Sequence, residues 1–424
     1  MSRIAVIGTG YVGLTTGACL AHLGHQVICA DIDPAKVSRL NNGEIPIVER
    51  GLSELVAQGR MNGQLTFVSD SAEAVKQCDV AFLCVPTPQG EDGSADLSYV
   101  QDAARQISAA LPFESIVVNK STVPVGSTKV VERALARPDI KVVSNPEFLR
   151  EGSAVEDFLH PDRVVVGGDD QAACMQVADL YRGLSTRVII TDPASAETIK
   201  YAANAFLATK LSFINAIAAI CEGVGADIND VVVGMGSDHR IGQDFLRPGP
   251  GWGGSCFPKD SRALIKIAEE AGYGFSLLEG VITVNTEQLD RVARKITGLI
   301  VVPGSTVAIW GLTFKANTDD LRDSPSLAIV ERLLALGISV RAFDPTCSEL
   351  KAGIPSTVEL TESPQEACRG ADVLAVLTEW DDFKWISPEE VAPLMTGRRI
   401  VDARNLLDRA EWKKAGFHYE GIGR

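Results

Sequence analysis

Cys256 lies in the run Pro250-Gly-Trp-Gly-Gly-Ser-Cys-Phe-Pro-Lys-Asp260, a setting that none of the other eight cysteines shares. Adjacent glycines let backbone approach a ligand closely. Phe257-Pro258 restricts the path by which the chain leaves, and Lys259 and Asp260 bring charge near the sulfur. A neighbouring cation or helix N-terminus favours the nucleophilic thiolate; the ordinary alternative for a cysteine is a small buried hydrophobe. Near the start of the chain, Gly8-x-Gly10-x-x-Gly13 follows an apolar run, Arg3–Ile7, and opens a helix expected over Leu14–Leu23. A second apolar run, Gln26–Ala30, ends at Asp31. This context fits a dinucleotide, with glycines for the turn and a helix N-terminus for pyrophosphate. Asp31 would accept from the adenine ribose and repel a 2′-phosphate, so NAD is expected rather than NADP. A thiol beside a hydride acceptor can carry an oxidation past the aldehyde.

Three further constellations follow expected strands and so fall at the carboxyl edge of a sheet, where ligands of such folds bind. They are Val85-Pro-Thr87-Pro88, Ser121-Thr122-Val123-Pro124 and Asn145-Pro-Glu147-Phe-Leu-Arg-Glu151-Gly152. Plain turn chemistry explains the first two equally well, and Glu147 reads either as a base for water or as a helix cap. Lys200 and Asn204 stand four apart on an expected helix and share one face. They could donate to an oxyanion or form a solvated polar patch.

The elements that must position these residues alternate strand and helix. Val80–Val85, Ser115–Lys120, Lys141–Ser144 and Arg163–Gly167 continue the apolar strands, and the first unit is expected to close near Val188–Thr191, giving a parallel sheet covered on both faces. Asp192-Pro193 then supplies a cap and a first-turn proline for an Ala-rich helix running to Glu222. A second helix is expected over Glu279–Leu299, and Pro303-Gly304 marks a boundary. Beyond it, Thr306–Trp310, a helix over Ser326–Leu336, Ser339–Phe343, Val373–Leu377 and Arg399–Val401 indicate another α/β unit.

The 424 residues suit two or three domains, and 46% hydrophobic with 22% charged residues is a soluble globular balance. A net charge of −15 argues against nucleic acid or an anionic membrane as partner. Nine cysteines and five histidines show no metal or disulfide spacing, so no metal is expected. No apolar run is read as membrane-spanning and no signal peptide is seen, which makes a cytoplasmic location the expectation.

In order along the chain, GTGYVGL, VPTP, STVPVG, NPEFLREG, the Lys200–Asn204 helix, RIG, GPGWGGSCFPKD, GLTFK and DARN span essentially its whole length. This set resembles the UDP-glucose/GDP-mannose dehydrogenase family, on its UDP-glucose 6-dehydrogenase branch. The resemblance implies two Rossmann-like doubly wound α/β domains joined by a helical centre with one long connecting helix. Residues 1–192 would bind NAD, 193–302 would form the central domain with the cysteine, and 303–424 would bind the UDP-sugar. It implies two successive NAD-dependent oxidations of UDP-glucose at C6, through a thiohemiacetal and then a thioester on Cys256. Lys200 and Asn204 would stabilise oxyanions, Asp260 and Thr122 would serve proton transfer, and Glu147 would assist thioester hydrolysis. Implied cofactor contacts are Gly8, Gly10, Tyr11, Val12, Gly13, Asp31, Lys36, Thr87, Thr122, Glu151, Lys259 and Arg322. Implied substrate contacts are Glu147, Phe148, Leu149, Lys200, Asn204, Arg240, Phe245, Gly253, Cys256, Phe314, Lys315 and Arg404. Arg240 matches an arginine that reaches a partner subunit's substrate, so a homodimer is expected. Arg247 stands where relatives often carry lysine. GDP-mannose or an N-acetylated UDP-sugar is the alternative substrate. A two-electron hydroxyacid dehydrogenase would leave Cys256 and the C-terminal domain unused, and a sensing protein need not keep Lys200, Cys256 and Asp260 together.

Overall fold

The computed structural model describes every residue except Glu91, Asp92, Val302, Pro303, Ser348, Leu350 and Lys351. The junction expected between 302 and 303, with Pro303, therefore lies outside the described residues. The described chain forms two compact units, residues 1–203 with 262–272 and residues 204–261 with 273–424.

The first unit is built on a sheet of β1 (Arg3–Ile7), β2 (Gln26–Ala30), β3 (Leu65–Val68), β4 (Val80–Leu83), β5 (Ile116–Asn119), β6 (Lys141–Ser144), β7 (Arg163–Gly167) and β8 (Arg187–Thr191). Its spatial order is β3-β2-β1-β4-β5-β6-β7-β8. The first six strands are parallel in the doubly wound order, which places the topological switch between β1 and β4. The expected all-parallel sheet needs one correction, because β7 meets β6 antiparallel and carries β8 with it. Both faces are covered, with Val6, Phe82 and Val118 in one core and Ala5, Leu83 and Val117 in the other. Every residue of β4 is fully buried, and each large side chain contributes roughly 1.5–3 kcal/mol.

The second unit holds β9 (Thr306–Trp310), β10 (Ser339–Phe343), β11 (Glu359–Leu360), β12 (Val373–Val376), β13 (Arg399–Asp402) and β14 (His418–Glu420). They pair in the order β11-β10-β9-β12-β13-β14, the same doubly wound sequence. Helices Pro325–Ala335 and Ser276–Gly298 contribute Ile329, Leu333, Val292 and Ile296 to one core of this sheet.

The long helix runs from Pro193 to Val224, 32 residues, and Asp192 caps it by accepting from the Ser195 N–H at 2.8 Å. The boundary between the two units falls within it. By length and composition this helix could cross a membrane, with a mean hydropathy of 1.4 over its most apolar window. That corrects the reading that no run is long enough. Tyr201, Ala208, Ile214 and Ala218 are nevertheless fully buried in the fold, as is the hydrogen-bonded Ser212.

Gly13 lies in the first turn of helix Tyr11–His22, which begins three residues before the expected start. A Cβ there would sit 1.9 Å from the Gly8 carbonyl oxygen, whereas a Cβ on Gly10 would meet nothing within 4 Å. Gly13→Ala should lower the unfolding midpoint by about 5 °C or more. Gly10→Ala should leave it within about 1–2 °C and weaken only dinucleotide binding. Calorimetry with and without NAD+ separates the two.

Candidate active site

The candidate residues fall into two groups, one in each unit. In the first, the glycine turn leaves β1 with Gly8 at φ 96°, and Gly10, extended, opens helix Tyr11–His22. Gly8 and Gly13 are obligatory for packing, while Gly10 presents open space on the side where a dinucleotide phosphate would approach the helix N–H groups. The site therefore fits NAD by shape. Val12 packs against the core beside the turn. Asp31 ends β2 and accepts from the Thr9 hydroxyl at 2.6 Å, the Thr9 N–H at 2.9 Å and Lys36 Nζ at 3.0 Å. Burial pushes its carboxyl up, but these donors together hold it below the usual range. Thr87 donates to the Thr122 carbonyl at 2.8 Å, joining the two motifs that follow β4 and β5.

Glu147 and Lys200 form a buried ion pair at 2.8 Å, with side chains 5% and 4% exposed. Burial raises the Glu147 carboxyl. The Lys200 charge and hydrogen bond, the Leu149 N–H at 2.6 Å and the Lys120 charge outweigh it, and Glu147 is held down as a carboxylate. Phe148 lies between two cations, with the Arg163 guanidinium 3.7 Å and Lys200 Nζ 5.5 Å from its ring centroid. Glu151 is half-buried where the same loop turns.

Three residues that shape this group carried no functional reading in the sequence. Lys120, just ahead of the Ser121-Thr122 motif, is buried and donates to Asn145 Oδ1 at 3.1 Å and the Tyr181 hydroxyl at 3.2 Å. A lysine closing an apolar strand was the available signal. Glu197, one turn before Lys200, accepts from the Gly126 and Thr128 N–H groups and so caps helix Ser127–Leu135, fixing the far end of the Thr122 loop. Glu49 is the third.

In the second unit Cys256 immediately precedes helix Phe257–Glu270, and its carbonyl accepts from the Asp260 N–H at 2.8 Å. The sulfur therefore stands at a helix N-terminus, where the dipole favours negative charge. It is half-buried, while the other eight cysteines are buried. Burial pushes the Cys84 and Cys368 thiols up to about 12. Gly253 and Gly254 admit neighbours that a Cβ would strike, the Asp323 carbonyl at 1.9 Å and the Phe314 ring at 2.7 Å. Asp260 is fully buried and accepts from Asn204 Nδ2 at 2.6 Å and Lys259 Nζ at 2.5 Å. Phe245, in the left-handed region at φ 61°, meets Phe257 in a tilted ring contact at 6.2 Å, and Phe257 also meets Trp252 at 6.3 Å. Such backbone strain concentrates at functional sites.

Lys315 Nζ sits 5.3 Å over the Phe314 ring, and Arg404 donates to the Phe314 carbonyl at 3.0 Å and pairs with Glu379 at 2.9 Å. Arg322 pairs with Asp320 and Arg240 with Asp238, each at 2.6 Å.

All three parts of the UDP-glucose/GDP-mannose dehydrogenase family model match: the NAD binding domain over residues 2–185, the central domain over 194–287 and the UDP binding domain over 308–409. A UDP-glucose 6-dehydrogenase from Pseudomonas aeruginosa is 46% identical, covering 100% of this chain and 97% of that one. The structure of a UDP-glucose dehydrogenase from Pyrobaculum islandicum superposes with a TM-score of 0.92 at 36% identity, covering 100% of this chain and 98% of that one. GDP-mannose dehydrogenase from Pseudomonas aeruginosa gives 0.55 at 32% identity, with 99% of both chains covered.

Lys120 supplies a test of the buried charge. Burial lowers its ammonium from the ordinary 10.5 to about 8, against the opposing pull of Cys84 and Glu147. Between those values the unfolded chain binds more protons than the folded one, so this group makes stability rise with pH across that window. The unfolding free energy of wild type relative to Lys120→Met should therefore climb from pH 8 to pH 10, by up to ~1.4 kcal/mol per unit. Urea titrations at stepped pH measure this; a flat difference would mean that burial leaves the titration of the Lys120 ammonium unchanged.

Proposed function

The chain belongs to the UDP-glucose/GDP-mannose dehydrogenase family, and on that premise we propose that it oxidises UDP-glucose at C6 to UDP-glucuronate, with two NAD+ reduced per sugar. The observation that carries this reading is Cys256, the one thiol of nine that is not buried, set at a helix N-terminus among glycines. Bound NAD+ supplies the hydride acceptor; the remaining work belongs to the chain. Thr122 and Asp260 hold the C6 hydroxyl, or a water ordered beside it, for proton removal in the first oxidation. Cys256 Sγ then adds to the aldehyde carbon and its proton passes to the oxygen, giving a thiohemiacetal whose carbon again carries hydrogen and hydroxyl. Loss of a second hydride and a proton leaves a thioester. Water attacks the thioester, the carbon–sulfur bond breaks, and carboxylate and free thiol result.

Lys200 and Asn204, one turn apart on the long helix, stabilise the oxyanions that form. Glu147, paired with Lys200 at 2.8 Å, orients the hydrolytic water. Asp31 receives the adenine ribose with Lys36 beside it, and Tyr11, Val12, Thr87, Glu151, Lys259 and Arg322 complete the cofactor contacts. Phe148, Leu149, Phe245, Gly253, Phe314, Lys315 and Arg404 take the sugar nucleotide, Lys315 and Arg404 meeting its diphosphate, and Arg240 reaches the substrate of a partner subunit. Superposition favours UDP-glucose over GDP-mannose, with a TM-score of 0.92 at 36% identity for the Pyrobaculum islandicum enzyme against 0.55 at 32% for GDP-mannose dehydrogenase.

A substrate panel of UDP-glucose, GDP-mannose and N-acetylated UDP-sugars, followed by NADH absorbance, tests this directly. Two NADH should form per UDP-glucose consumed; one per sugar would sink the double oxidation. Cys256→Ser should lower steady-state turnover by at least about 100-fold and stall after the first hydride. Unchanged turnover would remove the thiol from the chemistry.

The proposal extends to a cytoplasmic homodimer. Nine unbridged thiols suit a reducing compartment. Phe206, Phe213 and Ile220 recur every seven residues on the long helix and are 65%, 49% and 57% exposed, an apolar stripe suited to a second copy. Phe213→Glu should halve the mass measured by light scattering, and an unchanged mass would reject that face.

A further inference from the structure

Glu49 takes no part in the chemistry above, yet it is buried, 8% exposed, and its carboxylate is shared between two other segments of the first unit, Tyr11 and residues 152–154. One oxygen accepts from the Tyr11 hydroxyl and from the Gly152 N–H at 2.7 Å; the other accepts from the Ala154 N–H at 3.0 Å. The Gly152 N–H also lies 2.9 Å from the Tyr11 hydroxyl oxygen, which is 3.1 Å from the Arg150 carbonyl. Tyr11 is the first residue of the helix that opens at the glycine turn. Residues 150–154 directly continue Glu147-Phe148-Leu149. Burial, then the Glu49 carboxylate, pushes the phenol pKa far up, which keeps Tyr11 a donor.

We infer that Glu49, acting through Tyr11, is a positioning residue that fastens the loop bearing Phe148, Leu149 and Glu151 to the dinucleotide turn. Hydrogen bonds to a charged acceptor are among the stronger ones, and removing this acceptor takes the carboxylate from the Ala154 N–H and leaves the Gly152 N–H only the Tyr11 hydroxyl. The turn and the loop are thereby set as one piece, so a change at either is felt at the other. With two dinucleotides consumed per sugar, such a tie holds the loop in register while one cofactor leaves and the next arrives. This consequence rests on the function proposed above; the tie itself does not.

The test uses full-length enzyme with Tyr11→Phe, Glu49→Gln and the double variant. Tyr11→Phe keeps the ring and deletes one hydroxyl, so it answers the question even if the Glu49 variant folds poorly, as monitored by unfolding midpoint. NAD+ affinity is measured by calorimetry without sugar, and KM for UDP-glucose is measured separately. Each single variant should weaken both constants about tenfold, the KM rising more than kcat falls, and the double should be no worse than the weaker single. Both constants within twofold of wild type, or effects that multiply in the double, would overturn the inference. Wild type that binds NAD+ but leaves UDP-glucose unoxidised would refute the function instead, and the NAD+ affinities would still decide the role of Glu49.

Discussion

Lys120, Lys200 and Glu147, one cluster of charged side chains in the first unit, are each 5% exposed or less. Burying a bare charge costs several kcal/mol, and much of this architecture follows from offsetting that cost. Lys200 is matched directly by Glu147 at 2.8 Å. Lys120 has Asn145 and Tyr181 as neutral acceptors and lies 6.0 Å and 5.6 Å from the Phe158 and Tyr181 ring centroids. Asn145 can serve as acceptor because its own amide is anchored on the Val165 carbonyl of β7 at 2.7 Å. The reversal that sets β7 antiparallel to β6 thus delivers the strand that fixes Asn145. The loop after β6 then carries Glu147 to the helix that bears Lys200.

This arrangement also answers the charge problem posed by the whole chain. At a net charge of −15 the global field opposes any anionic ligand, so attraction in either unit must come from locally held cations. In the first unit they are buried and rigid. In the second they lie on loops, Lys315 over Phe314 and Arg404 tied to the Phe314 carbonyl. Asp260, fully buried, balances Lys259 and is fixed by Asn204, so it stays anchored close to the helix start where the thiol stands. The two glycines ahead of the sulfur admit the Phe314 and Asp323 loop to contact distance. Any side chain there would displace the thiol from that loop.

The sequence was most legible where hydrophobicity alone decides structure. The strands from Arg3–Ile7 through Ser339–Phe343 that lie inside the sheets were read nearly to the residue, because being buried on both faces makes them apolar runs. The strands not anticipated, Leu65–Val68, Glu359–Leu360 and His418–Glu420, sit at sheet edges, where exposure dilutes the pattern. The glycine pattern places the helix start at Leu14, three residues late, because Gly13 belongs to the helix and not to the turn. The Cys256, Lys200 and Gly8 motifs were visible because their chemistry is local in sequence. Glu49 was not, since its partners lie 38, 103 and 105 residues away. Pairings of that separation leave no periodicity to read.

The two sheets carry the same device at their first crossover, and the difference between them explains why one scaffold suits two ligand chemistries. In each, a left-handed glycine donates its N–H to the strand beside it at 2.8 Å, Gly8 to Ala30 and Gly311 to Phe343. In each, a threonine gives both N–H and hydroxyl to the aspartate that ends that strand, Thr9 to Asp31 and Thr313 to Asp344. After Gly10 the helix begins at once, so its N-terminal N–H groups remain available to an anion. After Gly311 the chain runs through residues 312–324 before the next helix, whose first turn is closed by Pro325 and capped by Ser324. Asp344 is saturated as well, since the Leu312 N–H and the Trp380 indole also donate to it. The second unit has therefore spent its helix terminus and its aspartate on its own backbone. An anion approaching this end of the second sheet would therefore have to meet side-chain cations, and Lys315 over the Phe314 ring and Arg404 on the Phe314 carbonyl are two of them.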